Sequence, residues 1–463
     1  MYSGMIAQAA AAFPELDISD SEWFYENVIS DCDDIYRGDP PWKTVKKSGL
    51  YQSGEREMAI LNAAKVLCDE LADMTFGQQA DIAIADDETQ RFAERVLQDN
   101  SFWDRMPQFF SRAYALGGGA VRVFIADGKV MLDYIDADSF IPTGMDGRKI
   151  DEAVFRNRTL KNGRYYTLFE KHGHSPDGMV TVENRLFVSD SVYELGQRCS
   201  LDELYGGLDD IIEYGSETPM FSYFHPAAAN NLFPSGRLGL SCFANCTDTL
   251  KAIDVAFDSL MREFILGRKR IIVPSSCIRT VVDPETGSVR RYFDSDDEVF
   301  QALRCDEEKD LKIIDNTAEL RIDEHVSALN ALMNLLCFQT GLSSGTLSFG
   351  TSSGVRTAAE ISSQENRTIR TMNSNRNIAV EFIEGIVKAI VCAGIYSGSL
   401  PESAESSDIR VSFPKELDRD PDRIIDRNIR LCGAGLRSRE SAVMEINDCS
   451  RDDAVNELKG AKS

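Results

Sequence analysis

The stretch Val326–Val355 carries no charged side chain, in a chain where 27% of residues are charged. Its first half continues a helical pattern over Glu319–Thr340, with Leu320, Val326, Leu329, Met333 and Leu336 near one face. Its second half, Leu342–Val355, is Gly, Ser and Thr with a few apolar residues. Thr357 and Glu360 then have the spacing of a capping box, each side chain covering free N–H groups at the start of the next helix. That helix is expected over Arg356–Tyr396, with a bend in its Ser/Asn-rich middle. At about 1.5 Å per residue it would reach roughly 50–60 Å if straight. Loops longer than about 12–15 residues tend to be functional or disordered. Three readings stay open for this one: irrelevant disorder, a lid over an active site, or the wall of a passage in which a polymer slides without sticking. Uncharged hydroxyls suit the passage, because each cation bound to phosphate adds affinity and friction.

The other totals narrow the class. The chain has 463 residues, 75 acids and 50 bases, for a formal net charge of −25. Length alone predicts about two to four domains. An acidic surface repels nucleic acid on average, so any contact with DNA should be local or transient. Eleven cysteines are scattered without a C-x-x-C pair. Cys242 and Cys246 form a C-x3-C, but no matching pair follows at zinc-finger spacing. They read as reduced thiols in a cytosolic protein. The N-terminus lacks a basic leader, and Ala389–Tyr396 falls well short of a membrane span. The expectation is a soluble protein that is not secreted.

Hydrophobic periodicity predicts helices over Ser21–Tyr36, Arg56–Phe76 and Glu88–Leu116, the last interrupted near Asp99 and Asn100 and stopped by Gly117–Gly119. The period then changes to two. Strands are expected over Ala120–Phe140 around Asp127-Gly128, over Glu152–Glu170 around Asn162-Gly163, and over Val180–Val188. Phe243–Leu266 returns to helix, with Leu250, Ile253, Phe257, Leu260, Phe264 and Ile265 as its apolar stripe. Ile271–Phe300 reads as strands and turns, Ser397–Ser407 as a polar linker, and Asp408–Phe413 as a short strand. Asp420–Cys432 and Ser438–Asn447 read as closing helices.

Several motifs fail on context. Gly341-Leu342-Ser343-Ser344-Gly345 matches the G-x-S-x-G nucleophile elbow. That elbow needs a strand before the serine and a histidine downstream. Here a helix precedes it, and His172, His174, His225 and His325 all lie upstream. His172 and His174 lack partners at ligand spacing and read as a polar hairpin tip. Gly117–Gly119 precedes a strand, whereas phosphate loops follow one. No Walker motif occurs, so a nucleotide-driven motor would be a separate chain. Arg268, Lys269 and Arg270 follow a helix C-terminus. They read either as cations matched to the helix dipole or as a docking patch for an acidic partner or DNA.

Four groups of short strings, in order along the chain, resemble the portal proteins of tailed bacteriophages, in particular those of siphophages of Gram-positive hosts. The first is Ile35-Tyr36-Arg37-Gly38 with Pro41-Trp42, then Asn62–Lys65 and Glu70–Ala72. The second is the Gly-rich break at Leu116–Gly119 before hairpin strands that end in Ile141-Pro142. The third is Gly341-Leu342-Ser343 with Phe349-Gly350, Thr357–Ile361 and Arg370-Thr371. The fourth is Ala434–Ser438 with Ala442-Val443.

The resemblance implies an α+β portal fold. Its parts would be a helical and β-rich wing (1–242), a two-helix stem (243–266 and 319–341) and a small α/β clip (267–318). A tunnel loop (342–356), a long bent helix (357–396) and a C-terminal wing with a short helical crown (397–463) complete it. It implies a ring, usually of twelve copies, at one vertex of the capsid, through which double-stranded DNA enters and leaves. Ser343, Ser344, Thr346, Ser348, Thr351, Ser352 and Ser353 would line the narrowest part, with Phe349 packing the loop on its neighbour. Arg268, Lys269 and Arg270 would lie where the terminase large subunit and then the head-completion adaptor dock. Major capsid and scaffold proteins are the other expected partners. No covalent chemistry, cofactor, metal or membrane is expected. The expected location is the virion, and the host cytoplasm during assembly. Rival readings are another head structural protein, such as a minor capsid protein, and an enzyme with a lid loop.

Overall fold

The structure is a computed structural model that describes residues 4–18, 21–48, 53–146, 149–233, 237–266, 271–272, 279–282, 289–292, 314–315, 319–349, 358–414, 421–447 and 454. Helix α1 (Met5–Ala12) is followed by a π-helical turn, Phe24–Ile29, that runs into α2 (Ser30–Tyr36). Strands β1 (Thr44–Ser48) and β2 (Ser53–Glu57) pair antiparallel ahead of α3 (Ala63–Phe76). Then come β3 (Asp81–Ile84), α4 (Asp87–Asp99) and α5 (Phe102–Leu116). The helix expected from Arg56 therefore begins later. Asn62 takes a left-handed backbone (φ 55°), which breaks the helical path upstream of Ala63. The expected interruption of Glu88–Leu116 falls at Asn100 and Ser101, and Ser101 is also left-handed (φ 50°).

The β region follows the alternation in the sequence. Strands β4 (Gly119–Ala126) and β5 (Lys129–Asp136) form a hairpin with positive φ at both Asp127 and Gly128, the geometry that an Asp-Gly turn supplies. Strands β6 (Phe140–Asp146), β7 (Lys149–Lys161), β8 (Arg164–His174), β9 (Val180–Ser189), β10 (Gln197–Cys199) and β11 (Ile211–Glu213) make one antiparallel sheet. Its order is β10-β9-β8-β7-β6, with β11 also on β9. Asn162 and Gly163 turn β7 into β8 in the same left-handed way. Strand β12 (Phe221–Phe224) pairs with β4, giving a second sheet, β12-β4-β5.

Helix α6 (Thr247–Leu266) leads to two short antiparallel pairings: β13 (Ile271–Ile272) with β16 (Ile314–Asp315), and β14 (Arg279–Val282) with β15 (Val289–Tyr292). Helices α7 (Ile322–Gln339) and α8 (Ala358–Tyr396) follow. Strand β17 (Ile409–Ser412) returns to pair with β3, before α9 (Pro421–Gly433) and α10 (Arg439–Asn447). The strand pairs are antiparallel throughout the described residues and stand beside the helices, and the fold class is α+β, as expected.

The core centres on the second half of α8. Ala379, Ile383, Ile386, Val387, Ala389, Ile390 and Ala393 are fully enclosed. Phe382 stacks on Phe109 of α5 with ring centroids 5.4 Å apart and meets Phe224 of β12 at 5.9 Å. Each such side chain contributes about 1.5–3 kcal/mol by leaving water. β12, β4, α3 and β17 pack against this part of the helix, and the exposed Glu381 and Lys388 mark its solvent side.

The two sheets meet through a polar contact. Arg122 of β4 pairs with Glu170 of β8 and, at 2.9 Å, with Asp133 of β5. His172 sits beside them, and here the expected hairpin tip is corrected. His172 lies within β8 between Ala153 and Val182, is 3% exposed, and packs its ring on Phe155 and Phe221. The alternation of β8 turns this residue inward; the tip itself is Ser175–Met179. Neither ring nitrogen has a hydrogen-bond partner. Burial, and then the Arg122 charge, hold its pKa down to about 3.

The unfolded chain therefore binds this proton first. Stability should fall as pH drops from about 6.5 toward about 3, by up to about 1.4 kcal/mol per pH unit. Denaturant unfolding at pH 7 and pH 5 should show the loss in the native chain, and His172→Phe should be less acid-sensitive by roughly 2 kcal/mol over that interval. Equal acid sensitivity in the two proteins would contradict the burial of His172.

Candidate functional site

The charge-free loop leaves one helix of an antiparallel pair. Thr249 near the start of α6 hydrogen-bonds Gln339 at the end of α7 (2.8 Å). At the other end Arg321, just before α7, makes three bonds to Glu263 of α6, two from its guanidinium at 3.2 and 3.1 Å and one from its backbone N–H at 3.4 Å. The Arg321 bonds hold the Glu263 carboxyl below its usual range.

Two aspartates one turn apart fix α6 to the segment before α3. Asp254 accepts Trp42 Nε1 (2.9 Å) and Leu61 N (3.0 Å). Asp258 accepts both Arg56 Nη atoms (2.9 and 2.7 Å) and Ala59 N (3.1 Å). Their titration differs for physical reasons. Burial raises Asp254 despite its donors, whereas the Arg56 hydrogen bonds lower Asp258. Arg56 is thus a strand residue engaged with α6. The apolar stripe of α6 changes character along its length: Leu250 and Ile253 are buried, whereas Phe264 and Ile265 are exposed, as are Leu335 and Phe338 of α7.

At the end of α7 the chain makes a Schellman cap. Gly341 has φ +80°, and Leu342 N donates to Cys337 O (2.8 Å) while Leu342 itself is buried. Gly341 is there because the cap needs a left-handed residue, which accounts for the first glycine of the G-x-S-x-G match. Thr371 Oγ1 of α8 donates to Gly341 O (2.7 Å). Ser343 N donates to Thr368 Oγ1 (2.9 Å), also on α8.

Two asparagines of α7, one turn apart, hold the next residues. Asn334 Oδ1 accepts Gly345 N (2.8 Å). Asn330 takes both backbone groups of Phe349, its Oδ1 accepting the N–H (2.8 Å) and its Nδ2 donating to the carbonyl (3.2 Å). Leu347 is buried, while Ser344, Gly345, Ser348 and Phe349 are exposed.

The expected hydroxyl lining therefore divides. Ser344 and Ser348 are exposed, with the Ser348 hydroxyl donating to Gly345 O (3.3 Å). Thr346 Oγ1 is turned onto Ser343 O (2.8 Å), and Ser343 is half-buried against α8. Thr351, Ser352 and Ser353 lie outside the described residues, as do Arg268, Lys269, Arg270 and the Thr357 cap. The expectation of a long flexible loop needs correction in its first half: residues 342–349 are docked by two buried leucines and by bonds from both flanking helices.

Sequence reading missed the docking residues Asn330, Asn334, Thr368 and Thr371. It also missed Arg367, whose Nη2 donates to Phe338 O (2.7 Å) and whose guanidinium lies 4.6 Å over the Phe338 ring. For Asn330 and Asn334 a signal was present in the sequence: two asparagines at i,i+4 in the uncharged part of α7. Among the described residues no group of three or more His, Cys, Asp and Glu could hold a metal, and no helix is long and apolar enough to cross a membrane.

Comparison with known families matches residues 33–462 to the phage portal protein, SPP1 Gp6-like, family model. The chain belongs to that family, a structural and non-enzymatic one. No curated protein matches the chain. Among solved structures it is similar to a chain in the virion of the native gene transfer agent particle, with 10% identity and a TM-score of 0.39, covering 83% of this chain and 88% of that one. A chain in the neck of the empty gene transfer agent particle gives 11% identity and a TM-score of 0.40, covering 83% and 89%. Assignment to the family rests on the family match.

If neutral side chains hold the loop, Asn330→Ala combined with Asn334→Ala should speed hydrogen exchange at the Gly345 and Phe349 amides about tenfold each. The α8 core amides should be unaffected. Unchanged protection at both loop amides would contradict the docking.

Proposed function

We propose that this portal-family chain assembles as a ring, with twelve copies the expected number, at one capsid vertex, and that residues 342–355 form the narrowest collar of its bore. The observation that carries the reading is the docked half of the loop. Buried Leu342 and Leu347 fix a surface on which Ser344, Gly345, Ser348 and Phe349 are exposed and no charge is present. Repeated about an axis, such a surface offers a duplex no cations to bind its phosphates. The chain's net charge of −25 supports the same behaviour, since acidic walls keep DNA near the axis.

In this reading α6 and α7 are the stem, and the strand pairings between them belong to the clip. The N-terminal helices and two sheets form the wing. Helix α8 joins loop to wing core, and α9 and α10 make a small crown. The exposed Val255, Met261, Phe264 and Ile265 of α6 would be covered by a neighbouring copy. Arg268, Lys269 and Arg270 would meet terminase during packaging and the head-completion adaptor afterwards. Capsid and scaffold proteins would surround the wing, first in the host cytoplasm and then in the virion. The chain performs no covalent step and needs no cofactor; the energy of packaging comes from the terminase.

Ser344→Lys with Ser348→Lys would put two cations per copy on the collar. Packaged DNA per assembled head should fall by about tenfold or more, while Ser344→Thr with Ser348→Thr should package normally. Normal packaging by a double-lysine ring of native composition would contradict contact between this loop and DNA.

A further inference from the structure

Four of the cysteines converge where α3 meets the segment that enters α6. Cys68 on α3 is fully buried, and its Sγ lies 3.7 Å from Sγ of Cys242, which is half-buried. Cys32 is buried beside Ser241, the residue before Cys242, and Cys246 is buried one helical turn after it. The set is not a metal centre, since no described group of three or more ligands has the geometry to hold one.

The backbone around Cys242 is fixed. Cys242 N donates to Tyr114 O (3.0 Å), and Gly239 N donates to the Tyr223 hydroxyl (3.1 Å). Gly117 and Gly239 approach so closely that a Cβ on Gly239 would stand 2.3 Å from Gly117 O. The two sulfurs are therefore kept in contact by packing from both sides.

We propose that Cys68 and Cys242 are a modification site, an oxidisable dithiol that hydrogen peroxide converts into an intramolecular disulfide. Cys242, the more accessible thiol, attacks the peroxide: its S–O bond forms, the O–O bond breaks, and the thiol proton leaves with the departing hydroxide as water. The Cys68 sulfur then attacks the Cys242 sulfur. The S–S bond forms, the S–O bond breaks, and the Cys68 proton leaves with that hydroxide as a second water. Two thiols lose two electrons to one peroxide, giving two waters. Burial pushes the Cys68 thiol well up, and likewise Cys32 to about 12 and Cys246 to about 11, so none of the three meets the peroxide as a thiolate. Contact singles out Cys68 as the resolving partner, because its sulfur is the one held 3.7 Å from that of Cys242. The product ties α3 to the entry of α6 across 174 positions of sequence. The proposal does not depend on the ring or on DNA.

The test uses the full-length reduced protein, treated with hydrogen peroxide, alkylated without reduction, digested and mapped by mass spectrometry. The expected result is one linked pair joining the Cys68 and Cys242 peptides, retained in Cys32→Ser and lost in Cys242→Ser. The thermal midpoint of the oxidised native chain should rise by on the order of 5 °C, and dithiothreitol should reverse the rise. Absence of the linked pair in the native chain, or pairing of Cys242 with Cys32 or Cys246 instead, would overturn the proposal whatever the variants do.

Discussion

Neutral hydrogen bonds hold the loop after α7. A segment rich in Gly and Ser loses much backbone entropy on ordering. Charge could offset that cost through ion pairs, but it would also give the surface an affinity for phosphate. This chain uses side-chain amides and hydroxyls instead. Asn330 and Asn334 on α7 and Thr368 and Thr371 on α8 reach the backbone of residues 341–349, and Leu342 and Leu347 supply the apolar anchor. The exposed face stays uncharged as a result.

The same loop needs firm supports. On one side α7 packs on α6, which Asp254 and Asp258 tie to Trp42, Arg56 and the backbone at Ala59 and Leu61. Those bonds are partly buried, so losing a carboxylate would leave Arg56 or two N–H groups without a partner, a costly outcome away from water. On the other side α8 runs into a core of fully enclosed aliphatic and aromatic residues around Phe382. The loop is therefore suspended between a helix pair and a core, and a shift of either support would be felt at the loop.

Much of this was legible in the sequence, and particular residues show why. Asp127-Gly128 and Asn162-Gly163 marked both hairpins, because those pairs tolerate the left-handed turn. The break between α4 and α5 was visible at Asp99 and Asn100. Helix starts were harder. Arg56 fitted the helical period of α3, yet its guanidinium serves Asp258, a partner some two hundred positions away that no local pattern shows. His172 looked like part of a polar tip because its neighbours Lys171 and His174 are polar; strand alternation put its ring in the core instead. The site itself was half legible. Absence of charge located the loop, and hydroxyl content suggested its lining. Which hydroxyls are turned inward depends on the Schellman cap and on bonds to α8, which are tertiary facts.

Membership of the portal family and the docked, uncharged loop lead to one geometric claim: residues 342–349 face an axis shared by many copies. Electron microscopy of the assembled ring tests this most directly. The account predicts a ring with a central hole whose narrowest radius is set by the segment carrying Ser344 and Ser348. A ring that places this segment on its outer perimeter, or an assembled state with no central opening, would contradict it.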